Sequence, residues 1–139
     1  MRRTALFLLL AATACHAPQK PDPLTKSLTV NGIKLTVRRD TSWLKGNSSA
    51  YEGFRIRVDY PGDRTFNQEQ KGLMDFGLED RFALVQGGDT AKPVFFQRIA
   101  NGMAHQAEYV AAFQRGDAGA KTLLFADNLF GLGPQVIKW

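Results

Sequence analysis

The sequence predicts an all-β domain of the sandwich type, and three observations carry that prediction. One is a hairpin written out in full: Leu28-Thr29-Val30, the pair Asn31-Gly32, then Ile33-Lys34-Leu35-Thr36-Val37. Another is strict alternation, with Phe54, Ile56, Val58 and Tyr60 interleaved by Arg55, Arg57 and Asp59. The third is punctuation: short apolar runs are separated by Gly87-Gly88-Asp89, Asn101-Gly102, residues 116–119 and residues 131–134. Short strands with turn residues every dozen or so positions are the pattern of a sandwich or small barrel.

In the hairpin, Asn-Gly suits a type I′ turn because both central residues need positive φ. A two-residue loop pairs Val30 with Ile33 and Leu28 with Leu35, which puts four apolar side chains on one face. Thr29 and Lys34 then share the other face, so turn and pattern agree on register. The alternating run is a half-buried strand ended by Pro61-Gly62-Asp63. Further strands are expected at 82–86, 94–99, 122–126 and 135–138, for about seven in all. Residues 67–75 read as a turn of helix with Glu69, Gln70 and Lys71 exposed. Residues 103–115 admit two readings. Their alanines favour helix, and Met103, Ala107 and Val110 fit helical spacing. As a strand, Ala107, Tyr109, Ala111 and Phe113 share a face between two sets of hairpin residues. The strand is the reading adopted; a helix here would make the class α+β.

The domain is preceded by a segment of another kind. Arg2 and Arg3 are followed by an apolar stretch over residues 5–12, the small residues Thr13 and Ala14, and Cys15, the only cysteine. The apolar run is too short to span a bilayer as a helix, which needs about 20 residues. Its three regions are those of an export signal. Residues 15–26 carry Pro18, Pro21 and Pro23 and read as an extended tether, leaving 27–139 as the folded domain. Ala12-Thr13-Ala14-Cys15 resembles the cleavage and lipidation site of bacterial lipoproteins, with Ala12 where such signals usually carry leucine. The resemblance implies removal of residues 1–14, a lipid on Cys15, and an envelope location. With His16 rather than aspartate after the cysteine, it implies the outer membrane. Ordinary cleavage after Ala14 or Ala17 is the alternative. The remainder resembles the small immunoglobulin-like β-sandwiches found in many envelope lipoproteins, with no single family singled out.

Composition narrows the function. Removing the first 14 of 139 residues leaves 125 and takes Arg2 and Arg3 from the 18 Lys and Arg. The balance becomes 16 against 13 Asp and Glu, +3 rather than +5. These charges are scattered along the chain, whereas nucleic-acid binders gather theirs into a stripe, so no nucleic acid is expected. With Cys15 lipidated, no thiol is left for disulfides, catalysis or metal binding.

Catalytic motifs are scarce. His105 is the only imidazole outside the tether, too few for a zinc site, and no metal or cofactor is expected. None of Ser27, Ser42, Ser48 or Ser49 lies in a Gly-x-Ser-x-Gly elbow. Asp75, Glu79, Asp80 and Glu108 supply the carboxylates that a glycosidase would need as a facing pair. Gly87-Gly88-Asp89-Thr90 lacks the length and lysine of a phosphate loop and is explained as a turn. The better lead is aromatic: Trp43 in a polar segment with Tyr51 nearby, and Phe130 among glycines, are the candidate ligand-binding residues for a peptide or sugar. The sequence therefore points to a non-enzymatic, membrane-held module for a protein, peptide or glycan partner. A cell-wall or polysaccharide hydrolase working through carboxylates is the alternative.

Overall fold

A computed structural model describes residues 19–139; residues 1–14, expected from sequence to be an export signal, and Cys15 lie outside the described residues. Among the described residues, nine strands form two antiparallel sheets. They are β1 (Thr25–Val30), β2 (Ile33–Arg39), β3 (Tyr51–Asp59), β4 (Phe82–Gln86), β5 (Asp89–Ala91), β6 (Phe95–Ile99), β7 (Gln106–Gln114), β8 (Lys121–Ala126) and β9 (Pro134–Lys138). One sheet has the order β1-β2-β3-β7-β6, the other β5-β4-β8-β9. Inward residues of both, from Leu35, Ile56 and Phe113 to Leu84, Leu123 and Ile137, make one hydrophobic core.

The all-β sandwich expected from the sequence is thus what forms, with nine strands rather than seven. Strands β2-β3-β7-β6 and β4-β8-β9 follow the order of the ABED and CFG sheets of an immunoglobulin sandwich. Strand β5 adds to the second sheet, and β1 adds an outer edge to the first. That likeness concerns connectivity alone and implies no activity.

The hairpin register is as the sequence requires: Val30 faces Ile33 and Leu28 faces Leu35. Asn31 and Gly32 have φ of 51° and 77°, the positive values of a type I′ turn. Strand β1 begins at Thr25, two residues before the domain start expected at Ser27. The disputed 103–115 stretch holds strand β7, with Ala107, Tyr109, Ala111 and Phe113 buried on one face. Tertiary pairing outweighs the helix preference of its alanines, because β7 is hydrogen-bonded on both sides, by β3 and β6. Strand β5 falls where the sequence predicts only a turn; Gly87 and Gly88 form that turn, and Asp89 and Thr90 pair back onto β4.

The link from β3 to β4 carries helix α1 (Gln68–Asp75). Asn67 starts it with a capping box: its side chain accepts from the Gln70 amide (2.8 Å), and the Gln70 side chain accepts from the Asn67 amide (3.0 Å). Met74 is buried, and its carbonyl accepts the Tyr109 hydroxyl at 2.8 Å. Burial raises the Tyr109 pKa, so the phenol stays protonated as that donor. Among the described residues, no helix is long and apolar enough to cross a membrane.

Candidate functional site

The connection from β2 to β3 folds flat onto the outer face of the five-stranded sheet. Asp40 organises it. One carboxylate oxygen accepts from the Ser42 amide (2.9 Å) and hydroxyl (2.6 Å), the other from Arg55 Nε (2.8 Å). Burial works against ionisation of Asp40, but these donors outweigh it and hold its pKa below the usual carboxylate range. Ser42–Leu44 then make a single 3-10 turn, closed by Lys45 and Gly46 at positive φ. Gly53 alternates with the inward Glu52 and Phe54, so it faces outward beneath this loop. A Cβ on Gly53 would lie 2.4 Å from the Asp40 carbonyl oxygen, so only glycine allows the loop to lie so close.

This anchoring lays Trp43 beside Phe95 on the neighbouring edge, with ring centroids 5.8 Å apart. Tyr51, Val94, Ala112, Lys45 and Asn47 complete an open groove of about 410 Å³. Val94 and Phe95 are 58% and 45% exposed. The Trp43 indole Nε1 is buried with no hydrogen-bond partner. Two of the three aromatic residues singled out from sequence, Trp43 and Tyr51, are therefore brought together.

Phe130 is not part of the groove. It is fully buried, stacked on Tyr60 and edge-on to Phe66, each at 6.1 Å. Asp127 closes the loop over it by accepting the amides of Leu129, Phe130 and Leu132. Arg64 adds a 2.7 Å bond to the Leu129 carbonyl. The glycines around Phe130 serve this clasp, and its ring is core rather than ligand surface. Cys15, the fourth sequence-designated position, lies outside the described residues.

The remaining groove residues were missed, although a signal was present. Val94-Phe95-Phe96 places three large apolar side chains in succession, and a strand buries only every second one on a given face. Phe96 packs against the core, so Phe95 faces out. It does so on an edge: among the described residues, β6 has β7 as its only neighbouring strand. Its one charged residue, Arg98, is paired with Asp75. Beyond the Arg98 end a second hollow of about 530 Å³ is lined by Phe76 and Met103, which are 83% and 61% exposed. Of the six large hydrophobic residues left exposed among the described residues, Phe76, Val94, Phe95 and Met103 thus lie on or beside one strand.

The carboxylates do not assemble. Asp75 pairs with Arg98, and Glu108 sits on the outer sheet face beside Arg55 and Asn101. Glu79 accepts the Gly77 amide in the exposed turn before β4, with Asp80 next to it. His105 has φ of 60° and packs edge-on to Tyr60, with Gly62 beside it. Among the described residues, no three metal-ligating side chains gather.

A charged plug ends the core where β3 and β8 begin. Glu52 and Lys121 are 2% and 4% exposed. Glu52 meets Arg39 at 3.1 Å, Arg115 at 3.0 Å and Lys121 at 3.9 Å. Lys121 donates to Gln86 (2.8 Å) and to the Asp117 carbonyl (2.6 Å). One buried carboxylate thus stands among three cations. Compared with known families, curated proteins and solved structures, the chain matches none significantly.

Proposed function

We propose that this protein is a lipid-anchored envelope module that binds an extended protein or peptide segment along β6 and the Trp43–Phe95 groove. The observation that carries the reading is the gathering of most exposed large apolar side chains along one edge strand, β6, whose outer side has no strand beside it among the described residues. Singly scattered exposed hydrophobics are ordinary, but a contiguous set marks an interaction surface. An edge strand offers unpaired main-chain groups to a second chain, and natural proteins usually guard such an edge with charge. Here the only charge on β6 is engaged by Asp75. Pockets on either side of a free edge suit β-strand addition, in which backbone bonds give affinity and alternate side chains give selectivity. The groove favours a peptide over a sugar because its exposed walls, Val94 and Phe95, are apolar.

The anchor part of the reading rests on the leader and Cys15. Intact mass of the membrane-extracted protein is expected to show a chain beginning at Cys15 and carrying acyl chains; an unacylated mass overturns the anchor. The binding part is tested by pull-down from solubilised membranes with the wild type and with Phe95→Ala. A partner retained by the first and lost from the second is expected. Equal recovery from both, or turnover of a cell-wall substrate with no partner, overturns it.

A further inference from the structure

We propose that the end of the sandwich from which the tether departs is a docking face for an anionic lipid surface. The strand register puts the start of β1, the end of β2, the starts of β3 and β8 and the end of β9 at this one end. Arg39 is bonded to Leu24, Lys121 to Trp139, and the Trp139 indole to the Leu24 carbonyl. The central plug there carries Arg39, Arg115 and Lys121 around the single carboxylate of Glu52. Around it stand Lys20, Lys26, Lys45 and Lys138, all exposed and, among the described residues, without an ion-pair partner. Asp22 is engaged by Arg38 and Asp40 by Arg55, which leaves Asp89 and Asp117 as the side-chain carboxylates of this end outside an ion pair among the described residues.

The opposite end differs. Its Lys34, Arg64, Lys71, Arg81 and Lys92, outside any ion pair among the described residues, are balanced by Asp63, Glu69, Glu79, Asp80 and Asp127. The chain's cation surplus is therefore concentrated beside the tether, although the sequence scatters it. A lipid surface fits this better than a polyanion groove, since the lysines ring the end and Leu24, 43% exposed, lies among them. Each basic residue near an anionic membrane strengthens binding about fivefold. The tether supplies proximity, since Leu24 stands only nine positions after Cys15. Docked in this way, the strands rise from the membrane, and the β6 edge opens sideways to its partner. The orientation rests on the anchor reading, whereas the charge-dependent contact can be measured apart from it.

The test is hydrogen exchange on the full chain extracted from membranes and reconstituted into vesicles. One set is pure phosphatidylcholine, the other 3:1 phosphatidylcholine to phosphatidylglycerol. Amides of residues 20–26, 38–47 and 115–121 are expected to exchange at least about fivefold more slowly on the anionic vesicles. That protection is expected to vanish in high salt and in Lys26→Glu/Lys138→Glu, and to persist in Lys34→Glu/Lys71→Glu at the far end. Equal exchange on both vesicles overturns the docking face, as does protection seen in native membranes but absent from protein-free vesicles. Retention on neutral vesicles reads the anchor separately, so a chain that is held but not protected contradicts docking alone.

Discussion

Two aromatic clusters occupy opposite ends of β3, and they are built in opposite ways. Tyr60, Phe66 and Phe130 are closed over by Asp127, which gathers three amides, and by Arg64, which bonds the Leu129 carbonyl. Trp43, Tyr51 and Phe95 rest on the outside of the sheet, held by one carboxylate and by the absence of a side chain at Gly53. Residue type does not distinguish the clusters. What differs is where the backbone goes after the aromatic: a loop tied shut from within covers Phe130, while a short turn lying on the sheet leaves Trp43 at a rim. The first cluster stabilises the fold, and the second is available to a partner.

Substitutions should separate these roles, and the largest effect on stability is expected at the closed end. Phe130→Ala should cost about 3–5 kcal/mol in urea unfolding, as truncation of a fully buried aromatic does, with partner binding by the folded fraction unchanged. Asp127→Ala removes an acceptor shared by three amides and should cost about 3 kcal/mol. Gly53→Ala forces Asp40 and its loop off the sheet; about 2 kcal/mol is expected, together with loss of partner binding. Trp43→Ala should reverse the pattern, costing about 1 kcal/mol or less in stability and weakening partner binding more than about 30-fold, as interface anchors do.

The smallest effect is a pH dependence confined to the open end. The folded pKa of Asp40 lies below its unfolded value, so its contribution is present above the unfolded value and is lost as pH falls through the folded one. Amide protection of residues 41–47, taken relative to intrinsic exchange at the same pH, should therefore fall below about pH 4, ahead of the core strands, and Asp40→Asn should show that lower protection already at neutral pH.

The legible part of the molecule was its sheet. Asn31-Gly32 dictated a register, and Phe54-Ile56-Val58 dictated a face, because both signals are local. Aromatic exposure was not legible, since it depends on contacts distant in sequence. Phe130 is sealed by the bond from Arg64 to Leu129, 65 positions apart, and Trp43 meets Phe95 only because β6 pairs with β7 and β7 with β3. The plug of Arg39, Glu52, Gln86 and Lys121 escaped for a related reason. Alternation points each inward, which is unfavourable for any one charge and acceptable only once the others are beside it. Charge at the tether end was hidden likewise, because residues 20–26, 38–45, 115–121 and 138 converge only in three dimensions.

The central claim, that the open cluster is the partner surface and the closed one is not, is met most directly by photo-crosslinking in intact cells. A crosslinking residue is placed at Phe95 and, as a similarly exposed control, at Val136, which is 56% exposed on β9. A discrete protein adduct is expected from position 95 that disappears when Trp43→Ala is added, with none from position 136. No adduct from 95, or equal adducts from both positions, would contradict the account.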